Sequence, residues 1–146
     1  MTCARVLLIC AALGACGSIP ADPEDTTERV RSERVFRVGL IAGGAPSPER
    51  AKALLARVST AVGATPRFER GAAEPLLLAL EAGELDLVVG AVAEDTPWLT
   101  RVAPSPPVAT APRGEGRVML AAFARNGENR WITIVDRAAR AVGEAR

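Results

Sequence analysis

Apolar and polar positions divide the 146 residues into blocks of different period. Val6–Leu13 is an unbroken apolar run, whereas Ser18–Glu33 is polar, charged and interrupted by Pro20 and Pro23. Val35–Ile41 is apolar and β-branched and predicts a strand. A helix start follows at Ser47-Pro48-Glu49, with an N-cap residue, a proline at the first helical position and a carboxylate on the positive dipole end. Leu54, Val58 and Val62 then recur every four residues beside Ala51 and Leu55, and Gly63 suits the position that ends a helix. Thr65–Glu69 reads as a short strand, and Pro66 places it at an edge or a strand start. Ala73–Ala82 predicts a second helix, with Pro75 in its first turn and Gly83 as its stop. Leu85–Gly90 is too short for a helix and has the continuous apolar character of a strand buried on both faces.

The order β-α-β-α-β with short links predicts a parallel sheet flanked by helices. Beyond it lie a loop, Ala93–Thr100, and a proline-broken extended stretch, Val102–Pro112. A strand is expected at Val118–Phe123 and a final helix from about Glu128 to Val142, with Asn126 as its cap. The expected fold class is α/β: one three-layer lobe with a mainly parallel sheet.

Composition narrows the chemistry. Basic and acidic residues number 18 and 17, so the net charge of +1 creates no global field for nucleic acid, which is not expected as a partner. Histidine is absent, which removes the usual general base near neutral pH and every Ser-His or Cys-His nucleophile. No carboxylate pair stands out for acid–base work and no Asp/Glu cluster has metal-loop spacing. Neither an enzyme nor a cofactor is expected.

All three cysteines, Cys3, Cys10 and Cys16, lie in the first 16 residues. Arg5 precedes the apolar run, whose eight residues match a signal-peptide core and fall far short of the roughly 20 that span a bilayer. Leu13-Gly14-Ala15-Cys16 then resembles the lipobox of bacterial lipoproteins. That resemblance implies removal of residues 1–15 and lipidation of Cys16, and so an exported protein held at the cell membrane or outer membrane, facing the periplasm or the cell exterior. Several acyl chains would make the anchor lasting, since one alone holds only reversibly. Residues 16–34 are then expected as a disordered tether and 35–146 as the folded lobe.

The strings FRVGL, LLLALEAGELDLVVG and EDTPW…RVAPSPPV, over roughly Val35–Val108, resemble the first lobe of periplasmic solute-binding proteins of the polar amino-acid ABC importer type. The family's members have two lobes that close on a ligand. Here about ten residues separate Val108 from Val118, where the family threads its second lobe, so that lobe is expected to be lacking. The family also places an Arg three residues after the Thr or Asp of the loop that follows the third strand, to meet a ligand carboxylate in bidentate fashion. Aligned from Asp86, those positions fall on Asp95 and Trp98, with Arg101 three residues further on. The first loop, AGGAPSP, lacks the aromatic that often stacks on the ligand.

Ligands of open parallel sheets sit outside the C-terminal ends of the strands. Candidate ligand-binding residues there are Gly43, Gly44, Asp95, Thr96, Trp98 and Arg101. Each also has an ordinary reading, as turn residues, a surface plug or a solvated Arg. Asp86 is expected at a strand start, bonded to a neighbouring backbone N–H. The sequence implies a membrane-tethered, solute-binding-like protein that weakly binds a small polar or anionic solute, or assists an ABC permease or a sensor. The alternative is a structural or interaction lipoprotein without a small ligand.

Overall fold

A computed structural model of the chain describes residues 22–43 and 45–145. The expected signal peptide (1–15), Cys16 and Gly44 lie outside the described residues. The elements are α1 (Thr26–Glu33), β1 (Val35–Ile41), α2 (Pro48–Val62), β2 (Thr65–Gly71), α3 (Ala73–Glu81), β3 (Leu87–Ala93), β4 (Val102–Pro104), β5 (Ala109–Arg113), β6 (Gly116–Arg125) and α4 (Asn129–Gly143). One 3₁₀ turn, Pro97–Thr100, precedes β4.

The sheet runs β2-β1-β3-β6-β4, with β5 also on β6. β1 pairs in parallel with β2 and β3, as the β-α-β-α-β order requires. β6 is reversed and pairs antiparallel with β3, β4 and β5, so five strands point one way and one the other. Helices α1, α2 and α4 cover one face over Phe36, Val38, Val89 and Leu120. α3 covers the other over Val88, Met119, Ala121 and Phe123. The domain is an α/β lobe of three layers.

Pairing explains where element limits differ from expectation. β3 extends three residues past Gly90 because β6 supplies a ladder as far as Ala93–Val118. The Val102–Pro112 stretch forms two strands along β6, and Ser105 bridges their break. Its N–H donates to the Ala122 carbonyl at 2.8 Å, and its hydroxyl accepts the Ala122 N–H at 3.1 Å. β5 and β6 are joined directly through Gly114-Glu115, with Gly114 at φ 60°, the placement of a two-residue hairpin turn. Gly90 serves a close approach instead: a Cβ on it would lie 2.4 Å from Ile41 Cβ.

The tether expected over residues 16–34 is corrected for its described part. Residues 26–33 are helical, with Val30 fully buried in the main core. The expected cap of α4 is corrected too. Asn126 donates instead to the Arg101 carbonyl at 2.8 Å. The Asp22 carboxylate caps α4, accepting the N–H groups of Arg130 at 2.8 Å and Trp131 at 3.2 Å, and that of Thr27 in α1 at 3.1 Å. Glu128 returns the arrangement, accepting the N–H groups of Glu24 at 2.9 Å and Thr26 at 3.1 Å. Each helix start is thus closed by a carboxylate from the other segment, which satisfies orphan N–H groups and places negative charge at both positive dipole ends. A polar segment with one apolar anchor is ordered this way.

Candidate functional site

The C-terminal ends of β1 and β2 are tied together where the Ala42 N–H donates to the Gly71 carbonyl at 2.8 Å. Gly43 follows at φ 118°, and a Cβ there would meet nothing within 4 Å, so this backbone is open to an approaching molecule. It lines a groove of about 720 Å³ between α2 and the edge strand β2. Its walls are mainly apolar, among them Leu40, Ala51, Leu55, Phe68 and Val89, and Lys52 and Arg70 are its cations. Pro48 and Ala51 come from the first turn of α2, and Pro66, Phe68 and Arg70 from one face of β2, by the two-residue period of a strand. Apolar walls with a few charged groups suit a small molecule that has an apolar body and an anionic end.

The loop after β3 lies at the same end of the sheet. The Glu94 N–H donates to the Arg117 carbonyl at 3.1 Å and that of Thr96 to Ala93 at 3.2 Å, forming the turn on which Asp95 stands exposed. Trp98 is half-buried and packs on the α3-side core. The Arg101 guanidinium lies 4.3 Å from the Trp98 ring centroid, within cation–π range. It also donates to Glu81, Nε at 3.0 Å and Nη2 at 2.5 Å, a bidentate pair. Arg101 therefore already has a carboxylate, from α3.

The five candidates among the described residues do not form one pocket. Gly43 belongs to the α2-side groove, whose lining includes none of Asp95, Thr96, Trp98 and Arg101. Lys52, Arg70 and Phe68 were missed by sequence reasoning. The signal available was helical and strand periodicity, which places them on the walls of a common groove only once α2 and β2 are adjacent.

The opposite end of the sheet holds a polar cluster. Asp86, nearly fully buried just before β3, accepts the Arg37 backbone N–H at 2.7 Å, as expected of a strand-start Asp. It also accepts the Arg37 guanidinium, Nε at 3.2 Å and Nη2 at 2.7 Å, and that of Arg29. Its carbonyl accepts the indole N–H of fully buried Trp131 at 2.7 Å. The hydrogen bond to Asp86 raises the Arg37 pKa above its ordinary value, against the opposing effect of burial. Both carboxylate oxygens are engaged, so the cluster joins α1, β1, β3 and α4 rather than offering a reactive group. Among the described residues no three His, Cys, Asp or Glu side chains converge as a metal site, and no helix is long and apolar enough to cross a membrane.

No protein-family model matches the chain, and no curated protein matches its sequence. Solved structures do share its fold. A point mutant of the arginine-bound form of domain 1 of TmArgBP, the ArgBP of T. maritima, superposes with a TM-score of 0.67 at 16% identity, over 82% of this chain and 99% of that one. An ancestral amino acid-binding protein, a precursor of cyclohexadienyl dehydratase, gives 0.65 at 11%, over 80% and 92%. An amino acid ABC transporter substrate-binding protein from Streptococcus pneumoniae, bound to L-arginine, gives 0.65 at 8%, over 80% and 91%. At these identities the likeness establishes the fold: a single α/β domain matching one lobe of a solute-binding protein.

Proposed function

We propose that the chain is a membrane-tethered, extracytoplasmic solute-binding-like lobe, anchored through lipid on Cys16. It takes a small polar or anionic solute weakly at the C-terminal ends of its strands, or presents that solute to an ABC permease or a sensor. The observation that carries this reading is the groove beside Gly43, an apolar recess flanked by Lys52 and Arg70 where an open α/β sheet receives ligands. The likeness to a lone first domain that was solved with arginine bound supports it. Gly43 gives backbone access, and Asp95 and Thr96 form the neighbouring polar edge. Arg101, committed to Glu81, positions Trp98. A one-walled site leaves much of a ligand in water, hence the weak affinity.

The test is a thermal-shift and tryptophan-fluorescence titration of the full chain against amino acids and organic acids. Trp98 is the half-buried reporter, Trp131 being sealed in the core. A solute of Kd about 1 mM at about 10 mM stabilises by about 1.4 kcal/mol, a readable rise in melting temperature. The rise and the fluorescence change are expected to be lost in Lys52→Ala or Arg70→Ala. Silence across the panel contradicts the reading. One observation favours the second reading, an interaction lipoprotein without a small ligand: Arg101 and Trp98 are already engaged within the fold.

A further inference from the structure

Among the described residues the outer edge of β2 pairs with no strand, and it carries a self-complementary pattern. The Thr65 N–H donates to the Arg34 carbonyl at 2.9 Å, and the Gly71 carbonyl accepts the Ala42 N–H at 2.8 Å. In a parallel ladder successive residues turn their hydrogen-bonding groups to opposite sides, so odd-numbered residues of β2 face β1 and even-numbered ones face outward. The outward groups are the Pro66 carbonyl and the N–H and C=O of Phe68 and Arg70. Pro66 costs the ladder nothing, because its missing N–H would have pointed away from β1. Phe68 is 51% exposed, the largest exposure among bulky apolar side chains of the described residues, and it lines the α2-side groove.

We propose that two copies of this chain associate edge to edge through β2, antiparallel about a two-fold axis at Phe68. Three features of the β2 pattern select this register. Phe68 opposite Phe68 of the second copy exchanges both N–H···O=C bonds, and each Arg70 N–H meets the Pro66 carbonyl opposite. The intervening close pairs set Arg67 against Glu69 of the second copy, twice, where opposite charges attract. Both phenyl rings fall on the α2 side, where they stack and roof the open grooves. The other two-fold registers fail on the same criteria. One centred on Arg70 sets like charges together, and one centred on Pro66 has no N–H to give. Proline and alternating charge guard an edge against indiscriminate pairing, and this pattern admits the one register that satisfies both. The dimer is isologous, as a two-fold interface must be, and it does not depend on the solute-binding reading.

Sedimentation velocity of the full chain in mild non-ionic detergent, over a concentration series, tests it. The chain is expected to self-associate, and Glu69→Arg or Arg67→Glu alone to weaken association by about tenfold through like-charge pairs. An equimolar mixture of the two variants is expected to recover wild-type association, because every cross-strand pair is again opposite in charge. Circular dichroism of each variant reports that it remains folded. A monomer throughout, association indifferent to either variant, or a mixture no better than its components overturns the proposal.

Discussion

Removing the Asp22 carboxylate separates a docked N-terminal segment from a solvated tether. Asp22→Ala withdraws the acceptor for three N–H groups, at 2.8, 3.1 and 3.2 Å, at the starts of two helices. Loss of one helix cap costs about 0.5–2 kcal/mol, and Asp22 serves two helices from a nearly buried position, so a loss of about 2–3 kcal/mol follows. For a domain of this size that lowers the melting temperature by about 8–12 °C, read by far-ultraviolet circular dichroism. Asp22→Asn keeps an acceptor oxygen without the charge and should lose less than Asp22→Ala. Glu128→Ala frees the Glu24 and Thr26 N–H groups of the same α1 start, so the two losses should combine non-additively in a double-mutant cycle. A shift under about 2 °C for Asp22→Ala refutes the reasoning, because a freely solvated segment would lose nothing.

Gly90→Ala forces a Cβ to within 2.4 Å of Ile41 Cβ and should destabilise by about 1–3 kcal/mol, measured by urea unfolding. Burial raises the Asp136 pKa, with Arg140 opposing it, so in the fold this carboxyl holds its proton more tightly than in the unfolded chain. Its ionisation therefore costs stability once pH passes the folded value, and costs none below the ordinary carboxylate range. Asp136→Asn should accordingly raise the melting temperature relative to wild type at pH 7, the gain vanishing at strongly acid pH; an undiminished gain there contradicts the assignment. Metabolic labelling with palmitate should mark the chain and fail for Cys16→Ala; equal labelling of both denies the anchor.

Local signals in the sequence carried much of the fold. The Ser47-Pro48-Glu49 start and the Gly63 stop of α2 are decided within a turn of chain, and the structure ends that helix with the Gly63 N–H on Ser59. Asp86 was legible as a polar residue at the start of an apolar strand, although its two arginines were not, because Arg29 lies in α1, 57 residues away. The order of α1 was hidden for the same reason. Only Val30 marks residues 22–33 as apolar on one face, and the carboxylate that closes α4 comes from 108 residues earlier. Of the candidate site, Gly43 and the loop after β3 were placed by topology alone, at the ends of the parallel strands. The commitment of Arg101 to Glu81 needed α3 packed beside the 3₁₀ turn, and the Lys52–Phe68–Arg70 groove needed α2 laid over β2.

The proposed function places solute capture at the C-terminal ends of the strands. Amide chemical-shift mapping of the isotope-labelled chain during titration with the amino-acid and organic-acid panel measures that directly. The expected result is saturable shifts, in the millimolar range, confined to amides around Gly43, Ala45 and Lys52 and to the Glu94–Trp98 loop. Shifts absent for every solute, or clustered at the Asp86 end of the sheet, would contradict it.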